Sequence, residues 1–412
     1  MPKEKIITAL DIGTTNIRLV VAKIREGNSR PQVIGVVSAS SQGMIKGAVV
    51  DMEDMVKSVK QVKELAEKKT GLEINHAFVN IGGSHITCRV SKGVVAVSRA
   101  DGEISEEDKN RAVEAAKAIS ISPNREIIHT LPRRFKVDET DDIKNPVGMN
   151  GVRLEVDALL IEGATPHIKN LIKCVREAKI EEDGLLLSPL AVSKAALTKR
   201  QKELGVLSLD LGGGTTGLTV FEESDILHCY VLPVGGTHIT NDIAIGLRIP
   251  IETAEKIKLE YGSALARSVG KREMIDLTKL GESEGEAARQ QVAEIIEDRV
   301  NEIFDLVNKE LKKINRVGFL PAGVVITGGG AKLRGLVDLA KEKLKLPAQI
   351  GFPQDLEGIV DQVDDPSFAT AVGLIFSALS DEQIIKSGSH FDLPIISDTV
   401  EQLKKWFKGF LP

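Results

Sequence analysis

Leu10-Asp11-Ile12-Gly13-Thr14-Thr15 occurs near the start of the chain and returns, lengthened, as Leu209-Asp210-Leu211-Gly212-Gly213-Gly214-Thr215-Thr216. Each copy follows a short apolar run and precedes two further β-rich runs and a helical pattern. These runs cover residues 6–10, 17–24, 33–38 and 53–69 in the first copy, and residues 206–209, 218–221, 226–231 and 237–247 in the second. The repeat predicts two similar β-β-β-α domains that face each other.

The aspartate, glycine and hydroxyl residues of the two copies suit a bound phosphate group. Glycines let the backbone approach a phosphate, and turn amides and threonine hydroxyls donate to its oxygens. An ionised aspartate can hold the water shell of Mg²⁺, so Asp11 and Asp210 are the predicted metal residues, acting through water. A single Asp-x-Gly turn is just as typical of an ordinary hairpin, but two copies on matching frameworks favour a phosphate site. Its predicted residues are Asp11, Gly13, Thr14, Thr15, Asn16, Asp210, Gly212, Gly213, Gly214, Thr215 and Thr216.

A third glycine cluster, Gly328-Gly329-Gly330-Ala331-Lys332-Leu333, lies between a strand pattern at residues 324–327 and a helical pattern at 336–344. Glycines at the C-terminal end of a strand, before a helix start, form a floor against which a ligand can lie. A lone Gly-Gly-Gly is weak evidence, because loops are rich in glycine. The sequence contains no G-x-x-x-x-G-K-[ST], so a nucleotide would not be bound in the Walker manner.

Length and composition narrow the class of protein. The 412 residues exceed the ~250–300 at which one hydrophobic core stops growing, and 42% hydrophobic and 27% charged residues are typical of soluble globular chains. A net charge of −5 argues against nucleic acid as a partner. Cys88, Cys174 and Cys229 are too scattered for disulfides or zinc and favour a reducing cytosol. We expect neither a secretory signal nor a transmembrane span.

The three glycine motifs together resemble the first phosphate, second phosphate and adenosine motifs of the actin, heat-shock chaperone and sugar kinase superfamily. Four further segments are similar to the FtsA family within it, and they are residues 41–51, 188–191, 235–244 and 365–374. The resemblance implies an α/β protein with a duplicated ribonuclease-H-like, actin-type ATPase fold, whose two halves surround a nucleotide cleft. It also implies ATP and Mg²⁺ as cofactors. The adenosine-binding residues would be Gly328, Gly329, Gly330, Lys332 and Glu302.

The family also carries a small α/β insert in the first half, and the sequence has room for one. Between residues 85 and 156 it shows strand patterns at 86–97, 127–137 and 152–160, and a helix start at Ser105 with Asp108 three residues on. Thr165-Pro166 then predicts a capped helix in the first half. The expected subdomains are IA (1–84, 157–190 and about 370–385), IC (85–156), IIA (191–236 and 317–369) and IIB (237–316), followed by a linker (386–399) and a helix (400–412).

Two positions depart from the pattern of related ATPases. Chaperone and cell-shape members carry a glutamate, which positions the attacking water, where this chain has Ser188. Relatives often have aspartate where this chain has Gly217. With one candidate for orienting water removed, we expect ATP binding with slow or absent hydrolysis, and we name no catalytic residue.

The C-terminal residues form an amphipathic helical pattern. At ~100° per residue, its apolar and polar side chains fall on separate arcs, with lysines beside the apolar arc, as in helices that lie in a bilayer interface. Docking on the protein's own core is the alternative, but the linker-like residues 386–399 favour a membrane contact. The predicted membrane residues are Leu403, Lys404, Lys405, Trp406, Phe407, Lys408, Phe410 and Leu411.

The resemblance implies partners as well. FtsA proteins bind the acidic C-terminal peptide of the tubulin-like FtsZ, assemble into filaments, contact later division proteins and lie on the inner membrane at the division site. A long helix is predicted over residues 286–314, and Arg289 and Arg299, taken as exposed in its first turns, are the candidates for the peptide. Arg299 and Glu302 could instead reach the adenosine.

Three other functions share this fold, because a fold does not settle function. A PilM-type pilus assembly protein is closest to the preferred interpretation, and the C-terminal pattern argues against it. A sugar or acetate kinase would transfer phosphate to a small molecule without binding lipid. A chaperone-type ATPase would need a further peptide-binding domain, for which we expect no remaining residues.

Overall fold

A computed structural model describes residues 4–25, 30–118, 122–282 and 285–380. The chain begins in the first half, passes through an insert, returns to the first half and then forms the second half. Its first segment contains β1 (Glu4–Ile12), β2 (Asn16–Arg25), β3 (Gln32–Ser40), β4 (Met44–Ile45), β5 (Ala48–Val49), α1 (Met52–Thr70) and β6 (His76–Ile81). The insert contains β7 (Thr87–Ala96), α2 (Glu106–Lys117), β8 (Arg125–Val137), β9 (Thr140–Ile143) and β10 (Arg153–Ala164).

The remaining elements complete both halves. The return to the first half comprises α3 (Thr165–Glu177), β11 (Glu181–Leu187) and α4 (Ser188–Ala196). After α5 (Lys199–Leu204) come β12 (Val206–Leu211), β13 (Thr216–Glu222), β14 (Asp225–Leu232), α6 (Gly236–Leu247) and α7 (Ile251–Tyr261). They are followed by β15 (Met274–Asp276), β16 (Glu286–Ala288), α8 (Arg289–Lys313), β17 (Val324–Thr327), α9 (Leu336–Leu344), β18 (Ala348–Ile350), β19 (Glu357–Gly358) and α10 (Ala369–Ser380).

The two halves share one sheet topology, which confirms the predicted duplication. The first-half sheet runs β11-β6-β1-β2-β3, with β19 added at its edge, and the second-half sheet runs β18-β17-β12-β13-β14. In each, the first three strands are antiparallel and the other two are parallel to the first. Counted within its own half, each sheet has the order 3-2-1-4-5. Because β1 and β12 are both central strands, their carboxyl ends carry the two Asp-Gly motifs to matching positions.

Separate hydrophobic cores support the two halves and the insert. The largest packs α1, α3, α4 and α10 on the first sheet, and a second packs α6, α8 and α9 on the second sheet. The insert has its own small core under α2, where the predicted capping box is confirmed: Ser105 caps the helix and Asp108 accepts from the Ser105 backbone amide. Its sheet, β7-β10-β8-β9, joins the first half through β10 and α3.

Two local predictions were wrong. The helix expected to be capped by Thr165 has Ala164 as its N-cap, and alanine has no side-chain acceptor to cap it. Thr165 is the first helical residue, and its amide donates to Asn124 O at 2.9 Å. The helix expected from residue 286 begins at Arg289, because Glu286–Ala288 pair with β15 as a strand. None of the described helices is long and apolar enough to cross a membrane. The predicted linker and membrane helix, residues 386–412, lie outside the described residues.

Candidate functional site: a cleft between the two halves

Each Asp-Gly motif forms a tight hairpin at the end of a central strand. Gly13 donates to Asn16 O at 3.0 Å, and Gly212 donates to Thr215 O at the same distance. The two turns are therefore the same structure built twice. A Cβ on Gly13 would lie 2.8 Å from Asn16 O, so a larger residue would open the turn.

The hairpins meet in a cleft of about 470 Å³, a volume common for small-molecule sites. Every predicted phosphate-binding residue except Thr216 lines this cleft, and so do Gly328, Gly329, Gly330 and Lys332. Thr216 is fully buried, and its hydroxyl donates to Val234 O at 2.8 Å. Its side chain therefore lies outside the cleft and stabilises the end of the hairpin. Glu302 is not among the lining residues; its side chain is exposed and forms an ion pair with Arg299 on the same helix.

The turn amides of the cleft are free to bind an anion. In the described part of the chain, the backbone N–H groups of Thr14, Thr15, Gly213 and Gly214 donate to no protein acceptor. Gly214 is buried, Thr14 and Gly213 are half-buried, and Thr15 is exposed; buried amides rarely remain without an acceptor. Amides on two facing loops match the oxygens of a polyphosphate, which fits the predicted ligand.

Two aspartates lie at the base of the cleft in surroundings that disfavour their charge. Burial raises the pKa of Asp11 to about 7, with Asp210 adding to the rise and Arg18 opposing it. Burial likewise raises the pKa of Asp210 to about 6, against the attraction of Arg18 and a hydrogen bond from Thr327. A divalent cation would add positive charge beyond that of Arg18, which does not offset the effect of burial on either carboxylate. These residues therefore fit Mg²⁺ held through water.

The glycine cluster closes the other side of the cleft. Gly328 has a φ of 81°, and a Cβ there would lie 2.5 Å from Asp210 Oδ1, so only glycine suits the position. Its amide donates to Pro366 O at 3.0 Å. Lys332 forms an ion pair with Asp365 across the same corner. The predicted glycine-rich surface is thus held, by this hydrogen bond and this ion pair, against the segment that precedes α10.

Several cleft residues were missed in the sequence. Arg18 pairs with Asp11 in the β1–β2 register and places Nη1 3.7 Å from Asp11 Oδ2. Asn80, at the end of β6, accepts from Ile12 N at 2.7 Å. Lys258 on α7 donates to Thr240 Oγ1 at 2.8 Å and to Glu255 Oε2 at 2.6 Å. The hairpin register could have indicated Arg18, because it lies opposite Asp11 just as Gly217 lies opposite Asp210.

The two departures from related ATPases are both explained by contacts. Ser188 accepts from Asn80 Nδ2 at 3.1 Å and donates to Ile81 O at 3.1 Å, so its hydroxyl is held against the end of β6. A Cβ on Gly217 would lie 2.7 Å from Pro189 Cγ, so the close packing of α4 on β13 leaves no room for aspartate.

The two arginines proposed for peptide binding are not exposed as predicted. Arg299 pairs with Asp242 on α6, at 2.6 and 2.9 Å, and its side chain is 25% exposed. Arg289 pairs with Glu273 and donates to Tyr261 O at 3.0 Å. Packing of α8 beside α6 supplies Asp242, and the segment before β15 and the end of α7 supply Glu273 and Tyr261, which the sequence of α8 alone could not show.

Comparisons with known proteins agree with this geometry. The family model described as cell division protein FtsA matches residues 207–373, and the SHS2 domain inserted in FtsA matches residues 83–162. The FtsA protein of Pseudomonas aeruginosa is 37% identical, covering 98% of each chain. That of Bacillus subtilis is 36% identical over 96% of this chain and 88% of its own, and that of Escherichia coli K12 is 34% identical over 90% of each.

Solved structures resemble the fold at low sequence identity. A PilM–PilN type IV pilus biogenesis complex aligns with a TM-score of 0.66 and 17% identity, over 91% of this chain and 99% of that chain. MreB5 of Spiroplasma citri bound to ADP aligns with a TM-score of 0.51 and 15% identity, over 91% of this chain and 97% of that chain. Both support an actin-like architecture.

Proposed function

Because this chain belongs to the FtsA family of cell division proteins, we propose that it binds Mg²⁺·ATP in the cleft and links FtsZ to the inner membrane. The observation that carries the nucleotide part is the meeting of two matching hairpins in one cleft, each with free amides and an aspartate, which is buried in the first hairpin and half-buried in the second. The MreB5 structure, which holds ADP on a similar fold, supports the same ligand.

The roles of the cleft residues follow from their positions. The amides of Thr14, Thr15, Gly213 and Gly214 would hold the phosphates, and Asp11 and Asp210 would hold the hydrated metal. The ion neutralises charge on the phosphates when bound. Gly328, Gly329, Gly330 and Lys332 would lie against the adenosine.

Hydrolysis is expected to be slow or absent. A water would need a carboxylate or amide acceptor in line with the terminal phosphate. At the position of the usual glutamate, Ser188 is already engaged with Asn80 and Ile81. Among the described residues, the carboxylates that line the cleft are those of Asp11, Asp210 and Glu255, and Glu255 forms hydrogen bonds with Lys258 and Thr240.

Calorimetry of the full chain with ATP tests the nucleotide proposal. We expect binding that weakens when Mg²⁺ is removed, and that weakens about 10-fold or more in Asp210→Asn, because a metal-bound carboxylate is lost. An exposed change, Glu64→Gln, should leave the affinity unchanged. The absence of any heat of binding for the wild-type chain would remove nucleotide from the function.

The membrane part of the proposal rests on the amphipathic pattern of residues 400–412. The apolar arc of this helix would be partly buried in the bilayer interface, and its lysines would lie near anionic lipid headgroups. Filament assembly would add avidity to a weak single helix. Sedimentation with anionic liposomes should pellet the full chain but not a chain that ends near Ser397. Equal pelleting of both, or of neither, would remove the tether.

We also propose that the partners are those of the family: the FtsZ C-terminal peptide, further copies of this chain, and later division proteins, at the cytoplasmic face of the division site. The ion pairs of Arg289 and Arg299 mean that an acidic peptide would have to compete with Glu273 or Asp242. Direct binding of the FtsZ peptide to Arg289→Ala and Arg299→Ala variants would decide which arginine takes part.

A further inference from the structure

A second cavity, of about 280 Å³, lies between the insert and the second half, and it shares no lining residue with the cleft. The insert contributes Arg89 from β7 and Arg133 from β8. The second half contributes His228 from β14 and Arg316 from the turn after α8. Among the described residues, no acidic side chain lines it. We call it the junction cavity.

Most of the basic side chains of the junction cavity form an ion pair with a carboxylate that does not line the cavity. Arg316 pairs with Glu222 through two N–O contacts of 3.0 and 2.7 Å. Arg89 pairs with Glu162 at 2.6 Å. These contacts fix the guanidinium groups at the wall, and Arg316 Nη1 also donates to Asn315 O at 3.1 Å.

Arg133 differs from its neighbours. In the described part of the chain its guanidinium makes no hydrogen bond or ion pair, and its buried Nε has no acceptor. The two nearby acids form only ion pairs with other residues: Asp225 Oδ2, which accepts no hydrogen bond, lies 3.3 Å from Arg134 Nε, and Asp157 Oδ1 lies 3.8 Å from Lys92 Nζ. Burial lowers the pKa of Arg133 despite the attraction of both acids.

A buried donor without an acceptor calls for a missing partner. The cavity has a cationic wall and an apolar floor that includes Leu159 and Leu227. Guanidinium groups bind carboxylate and phosphate oxygens in a planar, two-bond geometry. The volume is larger than inorganic phosphate needs, so the ligand should also have an apolar part.

We propose that the junction cavity binds a small organic oxyanion, whose charged end meets Arg133 and whose apolar part lies on Leu159 and Leu227. Because Arg133 belongs to the insert and Arg316 to the second half, the bound ligand would join these two parts of the chain. The site is independent of the proposed nucleotide function.

Titration calorimetry of the full chain with phenyl phosphate tests the proposal, at constant ionic strength. We expect binding that weakens about 10-fold or more in Arg133→Gln. Lys136→Gln is the matched control, because Lys136 lies on the same strand and pairs with Asp141 outside the cavity. Arg133→Lys keeps the charge but loses the planar fork, so it should give an intermediate affinity.

Two further arms identify the site and the anion. Lys332→Gln, which removes a cation of the cleft that does not line the junction cavity, should leave phenyl phosphate binding intact; if it abolishes binding while Arg133→Gln does not, the ligand occupies the cleft and the proposal fails. Benzoate in place of phenyl phosphate distinguishes a carboxylate ligand from a phosphate ligand. Equal binding by wild type and Arg133→Gln, or no binding of either probe by the wild type, would overturn it. Thermal unfolding of each variant checks that it folds.

Discussion

Thr15 and Gly213 face each other across the cleft so closely that a Cβ on Gly213 would lie 2.4 Å from Thr15 Cγ2 and 3.2 Å from Thr15 Cβ. The neighbouring pair repeats the arrangement, since a Cβ on Gly214 would lie 2.5 Å from Thr14 Oγ1. The two phosphate hairpins thus interlock, threonines of one against glycines of the other. Glycine at these positions lets the halves close, in addition to freeing the amides.

Gly213→Ala should therefore keep the halves apart. Rotation of Thr15 moves Cγ2 and Oγ1 away but leaves its own Cβ 3.2 Å from the new methyl, so the two hairpins must also separate by a few tenths of an ångström. We expect the affinity for Mg²⁺·ATP to fall about 10-fold or more, measured by calorimetry.

The control for this change is a double variant. Thr15→Ala removes the closest atoms, so adding Gly213→Ala to it should cost much less than in the wild-type chain. Gly329→Ala, where a Cβ would meet nothing within 4 Å, checks that alanine in the cleft does not itself unfold the protein. Additive losses in the double variant would contradict interlocking.

Gly217→Ala should destabilise the folded state by about 1–3 kcal/mol, because the new methyl overpacks against Pro189. Denaturant unfolding of the nucleotide-free protein measures the loss. Pro189→Ala removes the atom that is 2.7 Å away, and combining the two changes should recover part of the loss. If Gly217→Ala is neutral alone, packing does not explain the missing aspartate.

The sequence predicted what depends on local pattern. The strands, both hairpins and the Ser105–Asp108 capping box follow from residues near one another in the chain. The internal repeat predicted that the two halves share one sheet topology. Thr216 was misplaced although the alternation of β13 could have shown that its side chain points away from the cleft.

Other features depend on contacts between distant elements. Arg299 looked exposed because its partner, Asp242, lies on a different helix. Asn80 and Lys258 reach the cleft only through the packing of β6 beside β1 and of α7 beside α6. The junction cavity was missed for the same reason, since Arg133 and Arg316 belong to separate parts of the fold.

Asp108 should be the most sensitive polar residue of the insert. Its fully buried carboxylate accepts from Ser98 and Ser105, each through both amide and hydroxyl, and pairs with Arg111. Asp108→Asn replaces one carboxylate oxygen with an NH₂ group, which would face the N–H and O–H donors of Ser98 or Ser105. We expect a loss of about 2–3 kcal/mol at pH 7 in denaturant unfolding of the insert.

The pH dependence gives a separate check. Burial alone would raise the pKa of Asp108, but the hydrogen bonds from Ser105, Arg111 and Ser98 outweigh it and hold the pKa well below the usual 3.8. Such a group stabilises the fold above the pKa of the unfolded chain, and this stabilisation is lost as the pH falls below that value. The difference in the free energy of unfolding between wild type and Asp108→Asn should therefore become smaller below about pH 4. A gap that is the same at pH 3 and pH 7 would contradict the assignment.

Asp11 should stabilise the nucleotide complex but, when it is ionised, lower the free energy of unfolding of the nucleotide-free protein. Its folded-state pKa of about 7 lies above the unfolded value of 3.8, so the folded chain keeps a proton that the unfolded chain has released. The contribution of this group to stability is complete below pH 3.8 and declines until about pH 7. Asparagine cannot ionise. Without nucleotide, Asp11→Asn should thus gain stability over wild type from pH 4 to 7, by at most roughly 4 kcal/mol at pH 8.

Denaturant midpoints at pH 5 and pH 8, with a metal chelator present, measure that gain, and Glu64→Gln serves as an exposed control. Adding Mg²⁺·ATP at pH 8 should reverse the order, because a ligand stabilises only the chain that binds it, and Asp11→Asn has lost a metal-holding carboxylate. The affinity of the wild type should itself rise between pH 6 and 8, since the metal needs the ionised form. A variant less stable than wild type at pH 8 without nucleotide would show that the Arg18 contact, at 3.7 Å, outweighs the cost of burying the charge.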